Sequence, residues 1–281
     1  MRQRKIAALG AIVALATTGL TACGDESGGG AGSGGGEKIV IGVKFDQPGL
    51  GLKEGAKNTG LDVDVAKYVA KELGFSEENV EFKEAPSAQR EDLLANGQVK
   101  MIFATYSITD KRKAKVDFAG PYLVAGQDLL VKADNTDITG PETLNGKKLC
   151  SVTGSTSAQK VKDQFAKTVQ LQEYDGYSKC VVALAAGAID AVTTDNTILA
   201  GFAAQPANQG KFKVVGKTFS EERYGVGLKK GDKETCEKVN AALKKMVDSG
   251  DWQKAFDANL GAAGLKLDPA LNPPKTFDAC A

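Results

Sequence analysis

Histidine is absent from all 281 residues. That excludes Ser-His-Asp and Cys-His catalysis and removes the commonest metal ligand. Phosphate cradles are missing too: there is no GxxxxGKS/T and no strand-linked GxGxxG, the glycines at 24–36 forming only a low-complexity stretch. No two cysteines have the close spacing of a zinc knuckle, so a four-cysteine metal site is disfavoured. The most apolar N-terminal run, Ile6 to Leu20, falls short of the roughly twenty residues that span a bilayer. Charge of one sign is also lacking. With 36 Lys+Arg against 35 Asp+Glu, nothing suggests nucleic acid as a partner. Carboxylates are plentiful, so acid–base chemistry by a carboxylate pair is not excluded by composition.

What is present begins with an address. Arg2, Arg4 and Lys5 precede the apolar run, and Leu20-Thr21-Ala22-Cys23 closes it. The arrangement resembles a bacterial lipoprotein signal, residues 1–22 being the leader and Cys23 the lipid-modified residue. The alternative is an ordinary secretory signal with a coincidental cysteine. Removing 1–22 takes three of the 36 basic side chains and no acidic one, leaving 33 against 35, or −2. Residues 23–37 form a Gly-rich tether that spans roughly 20 Å r.m.s. as a flexible coil. The expected location is extracytoplasmic, anchored to the cell membrane by a lipid on Cys23. The other four cysteines suit export as two disulfides, with three connectivities possible. Cys150–Cys180 and Cys236–Cys280 are favoured, each worth roughly 3.5–4 kcal/mol in the chain-entropy model.

From residue 38 the pattern alternates strand and helix. Ile39 to Val43 reads as a strand, 45–51 as a loop, and the helix from Leu61 carries Val65, Val69 and Leu73 on one face, with Asp62 and Asp64 at its positive end. Strands at 80–82 and 99–104 bracket a short helix from Ser87. After 128–131 the pattern restarts, with strands at 148–152, 169–173 and 191–194. An extended run at 224–228, a long helix carrying Val239, Leu243 and Met246, and a Pro-rich tail follow. This predicts two α/β lobes of mostly parallel sheet flanked by helices. Lobe 1 is 38–127 with 226–281, lobe 2 is 128–225, and the tail is a strap held by Cys280.

The stretch Thr105 to Arg112 follows the strand at 99–104. Read as extended, it puts the Thr105 and Ser107 hydroxyls on one side, and Thr109-Asp110 can cap the helix carrying Arg112. Hydroxyls with a planar five-donor fork suit a small carboxylate; a solvated surface turn is the plainer reading. Ligands in open α/β sheets sit beyond the carboxyl ends of the strands. Thr105–Arg112, Thr153–Ser157 and Asp195 all fall there. Asp195 is also a possible helix N-cap.

The ordered motifs Ser107-Ile108-Thr109-Asp110-Lys111-Arg112, Val116-Asp117-Phe118, Pro121-Tyr122, Gly60 to Ala66 and Ala186 to Ala191 resemble a known family. It is the extracellular solute-binding proteins of polar amino-acid ABC transporters, and the likeness covers about 38 to 260. Lys44 to Gly51 is similar to the glutamate-binding lipoproteins of Gram-positive transporters. The resemblance implies a type II periplasmic-binding-protein-like fold with two crossover hinge strands. It implies a monomer that closes over extracellular L-glutamate and delivers it to a membrane permease, with no cofactor and no catalysis. Arg112, Ser107, Thr105, Ser155 and Thr156 would hold the α-carboxylate, Asp195 the α-ammonium, and Arg90 with Ser87 the distal carboxylate. Lys44 and Lys53 are weaker candidates. Where many relatives have an aromatic after the first-loop proline, this chain has Gly49-Leu50-Gly51, leaving Phe45 or Tyr122 to cover the ligand. Glutamine, aspartate and asparagine remain alternative ligands. A dehydratase-like enzyme and a sensor domain remain alternative uses of the scaffold, the sensor disfavoured because no transmembrane segment follows residue 260.

Overall fold

Side chains alternate across a strand, and strands buried on both faces must be apolar at every position. Met101 and Phe103 pack into one core while Ile102 and Ala104 pack into another, on the opposite face of the same strand. The second sheet repeats the device: Cys150 and Val152 face one core and Leu149 the other. The computed structural model describes residues 36–155, 157–164 and 168–281. The expectations for the leader, Cys23, the tether up to residue 35 and Thr156 lie outside the described residues.

In chain order the first elements are β1 (Ile39–Val43), β2 (Asp46–Gln47), β3 (Gly51–Glu54), β4 (Lys57–Thr59), α1 (Leu61–Glu72), β5 (Val80–Glu84), α2 (Arg90–Ala95), β6 (Met101–Phe103), α3 (Asp110–Lys113) and β7 (Val116–Ala125). Then come β8 (Gln127–Lys132), β9 (Lys148–Val152), α4 (Ser157–Gln164), β10 (Gln170–Tyr174), α5 (Tyr177–Ala185), β11 (Ala191–Asp195), α6 (Asn196–Ala204) and β12 (Phe212–Val214). The chain closes with β13 (Glu222–Lys229), α7 (Lys233–Asp248) and α8 (Asp251–Leu260).

One sheet has the order β5-β1-β6-β13-β7 and the other β10-β9-β11-β8-β12. Within each, the strands joined by helical crossovers are parallel, and β13 or β8 runs against its neighbours. The fold is thus α/β and two-lobed. The chain passes from the first sheet to the second between β7 and β8, and returns between β12 and β13. Glu222 already pairs with Ala125, so the return strand joins the first sheet four residues before the expected boundary at 226.

Two local features differ from the sequence reading. Residues 45–51 are not a plain loop: β2, β3 and β4 form a small antiparallel sheet around the fully buried Leu50. Thr105 breaks the extended run after β6, with φ 47 in the left-handed region that non-glycine residues rarely occupy. Asp62 and Asp64 lie in the first turn of α1 as expected, and Asp62 is fully buried there.

The tail behaves as a strap. Its Asn272 amide takes both backbone groups of Val124 on edge strand β7, accepting from N–H and donating to C=O. Asp278 N–H donates to Gly120 O, and Cys280 is disulfide-bonded to Cys236. The second disulfide, Cys150–Cys180, ties β9 to α5.

Candidate functional site

The carboxyl ends of β6, β9 and β11 converge where the two sheets face each other. Ser87, Arg90, Thr105, Ser107 and Arg112 from the first lobe, with Ser155, Ser157, Tyr177, Thr194, Asp195 and Ile198 from the second, line a small cavity with about 20 Å³ of room for the centres of water molecules. Of the residues given a ligand role from the sequence, Arg112, Ser107, Thr105, Asp195, Arg90, Ser87 and Ser155 are in that lining, and the weaker candidates are not. Ser157 lies in the stretch 153–157 expected at the cleft, while Tyr177, Thr194 and Ile198 were missed. Tyr177 opens a helix after Gly176, and nothing in its local sequence marks it. A larger groove at the back of the crossovers, floored by Gly126, Thr218 and Leu267, contains no arginine.

Arg112 is placed by the short helix α3, whose N-cap Thr109 accepts a hydrogen bond from Arg112 N–H. Its Nη1 donates to Ser107 O at 2.8 Å, and its Nη2 reaches across the lobes to Gly154 O at 3.4 Å. Glu91 lies 3.9 Å from Nε, outside the lining. Arg90 is only 2% exposed and donates through Nε to Ala85 O at 3.3 Å. Both guanidiniums lie over the Tyr106 ring, at 4.9 Å for Arg90 and 4.8 Å for Arg112. Burial, and then the neighbouring Arg112, lower the pKa of Arg90, but a guanidinium starts so high that it stays charged.

Asp195 supplies the opposite charge. Tyr224 donates to its Oδ2 at 2.6 Å; Asp195 does occupy the N-cap position of α6, but its side chain makes no cap bond there. Burial first, and the Glu222 carboxylate second, push Asp195 up to about 7. Tyr224, Lys160 and Arg112 act the other way, Lys160 being itself paired with Glu222 at 2.5 Å. Across the floor, Tyr177 donates to Ser155 Oγ at 3.1 Å, and that oxygen also accepts from Ser157 N–H at the start of α4.

The weaker candidates are elsewhere. Lys44 is buried 3.1 Å from Asp46, and Lys53 lies over the Phe45 ring. Tyr122 is buried with its hydroxyl on Asp62. Neither Phe45 nor Tyr122 lines the cavity, and the aromatic that does, Tyr177, comes from the opposite lobe. Among the described residues no cluster of three or more Cys, Asp or Glu is placed to hold a metal.

The lobes meet tightly around the cavity. Gly154, at φ +80, lies where a Cβ would stand 2.6 Å from Ala88 N, and the Asp46 carboxylate accepts from Ser178 N–H at the start of α5. Pro48 O abuts Gly201 on α6 so closely that no side chain fits there.

Known proteins resemble this chain in sequence and fold. Residues 39–262 match the bacterial extracellular solute-binding proteins, family 3. The chain is 49% identical to the glutamate-binding protein GluB of Corynebacterium glutamicum, over 95% of each chain. It is 39% identical to the glutamine-binding protein GlnH of Bacillus subtilis, over 83% of each. A solved ancestral arginine-binding protein bound to glutamine superposes with a TM-score of 0.74 at 37% identity, covering 80% of this chain and 98% of that one. The chain therefore belongs to the bacterial extracellular solute-binding proteins, family 3.

Proposed function

We propose that this protein captures extracellular L-glutamate by closing its two lobes and delivers it to the permease of an ABC importer. One observation carries the choice of ligand: the cavity lining holds two guanidiniums and one carboxylate. Glutamate is their complement, with two carboxylates and one ammonium. Arg112 takes the α-carboxylate with the hydroxyls of Thr105, Ser107 and Ser155; Thr156 belongs to the same group by sequence. Asp195 accepts from the α-ammonium. Arg90, with Ser87, meets the distal carboxylate. The 49% identity to a protein named for glutamate binding supports the same choice.

Glutamine is the second reading, favoured by the likeness to a glutamine-binding protein and to a solved structure with glutamine bound. A neutral amide would leave Arg90 buried without a counter-charge, whereas a charge-assisted hydrogen bond inside the closed cavity is worth about 1.5–3 kcal/mol. That corresponds to roughly tenfold to hundredfold preference for glutamate. Aspartate and asparagine have shorter side chains and would leave more distance to Arg90.

Closure in this reading is a hinge at the two crossovers, Gly126 and residues 215–221, with the permease engaging the closed, loaded form. Cys23 carries the lipid, the Gly-rich tether lets the binding domain sample the membrane surface, and the protein works as a monomer. ATP is consumed on separate subunits.

The test is Arg90→Ala, titrated with both ligands. Glutamate affinity should fall by at least tenfold and glutamine affinity by much less. Equal losses would remove Arg90 from the choice of ligand.

A further inference from the structure

Asp62 sits outside the cavity, in the first turn of α1, with no exposed surface. Its two oxygens are engaged by different donors. Oδ2 accepts from Thr105 N–H at 2.9 Å, and Oδ1 accepts from the Tyr122 hydroxyl at 2.7 Å. Tyr122 is itself fixed, since Trp252 Nε1 on α8 donates to its backbone O at 2.6 Å. A buried chain of hydrogen bonds thus runs from α8 through Tyr122 and Asp62 to the rim of the cavity.

The far end of that chain is the one described non-glycine residue with positive φ, Thr105 at φ 47. Such a conformation persists only where surrounding groups over-determine it. Asp62 is the acceptor that fixes the amide of the strained residue, while the Thr105 hydroxyl is held separately, 2.7 Å from Ala104 O and 3.3 Å from Gln47 Oε1. The strained turn matters to binding. It carries the chain from the end of β6 to Ser107, which forms a bridge with Tyr224, and Ser107 O receives Arg112 Nη1. Both hydroxyl residues and the guanidinium therefore depend on the path taken at Thr105.

We infer that Asp62 is a positioning residue for ligand binding, holding the Thr105 backbone in its left-handed turn so that Thr105, Ser107 and Arg112 face one carboxylate. The inference rests on the amino-acid-binding reading but not on the choice of glutamate, because those three groups meet the part that all α-amino acids share. Burial pushes Asp62 up to about 6, against the bonds from Tyr122 and Thr105 and the charge of Arg90. At neutral pH it is a carboxylate and can accept from both donors at once.

The experiment is a cycle on the full-length protein, read by calorimetry with glutamate and with glutamine. Asp62→Ala removes both acceptors and should weaken both ligands by the same factor, about tenfold. Asp62→Asn can turn Oδ1 to the Thr105 amide and Nδ2 to the Tyr122 oxygen, so it should keep affinity within about threefold of the unmodified protein. Thr105→Gly accepts the positive φ without support. In that background Asp62→Ala should cost less than threefold further. The inference is overturned if Asp62→Ala lowers the melting temperature but leaves affinity unchanged. It is overturned equally if the variant costs the same tenfold with and without Thr105→Gly, or weakens glutamate alone. Should Asp62→Ala fail to fold, hydrogen exchange on the unmodified protein decides. The Thr105 amide should exchange as slowly as the amides of β6, and fast exchange contradicts the inference.

Discussion

Asp195 gives the site a pH dependence whose sign follows from its surroundings. Buried against Glu222, and with Tyr224, Lys160 and Arg112 only partly offsetting this, it titrates at about 7 instead of the ordinary 3.8. A carboxyl raised in this way makes the folded protein take up a proton between about pH 4 and pH 7, so its ionisation costs stability as pH rises through that window. A ligand ammonium placed on Asp195 favours the carboxylate and reverses that cost, so binding releases a proton near neutrality. Affinity should therefore fall about fourfold between pH 8 and pH 6.5, by the one-proton relation at a pKa of about 7. Calorimetry in buffers of different ionisation heat would show the proton release, and Asp195→Asn should flatten the profile. Keeping above pH 6.5 limits the contribution of Asp62, which titrates at about 6. Arg112 and Asp195 were legible in the sequence because polar groups at strand ends point to a cleft. Asp62 was not, since an acid in the first turn of a helix looks like a partner for the helix dipole. Only the fold turns it inward to Tyr122 and Thr105.

At the scale of elements, the turn after β9 and the strap after α8 carry the testable load. Gly154 sits at φ +80 with its Cα turned to the backbone of Ala88 across the cleft. Gly154→Ala introduces both a strained φ and a clash at 2.6 Å from Ala88 N, so the lobes cannot close fully. Ligand should then dissociate at least tenfold faster in stopped-flow measurements, with association little changed because the first-lobe contacts remain. The strap depends on the Cys236–Cys280 bond, which closes a 44-residue separation. Replacing both cysteines with serine should lower stability by about 2–5 kcal/mol in denaturant unfolding. Most strands and helices were readable from apolar runs and 3.6-residue periodicity, because these sheets are covered on both faces; the ten-residue β7 was not, its apolar run being interrupted by Gly120 and Pro121. The small sheet of β2, β3 and β4 was hidden: its strands are two to four residues long, and Pro48, Gly49 and Gly51 read as loop. Its place is set by the tertiary burial of Leu50, which no local pattern announces.

For the whole molecule, the two-lobed architecture was recoverable because one strand-helix alternation repeats after a crossover. The contacts that bring the lobes together were not, since Arg112 to Gly154 O, Asp46 to Ser178 N–H and Tyr224 to Asp195 join residues far apart in sequence. Those contacts enclose two guanidiniums and one carboxylate in a small, largely polar cavity, and the central claim is that this charge balance selects a dicarboxylic amino acid. Isothermal titration calorimetry of the purified protein with L-glutamate and L-glutamine, at pH 7.5 and fixed salt, tests it most directly. The predicted result is one glutamate per chain, bound at least tenfold more tightly than glutamine. No heat with glutamate alongside tight binding of glutamine or another neutral amino acid would contradict it.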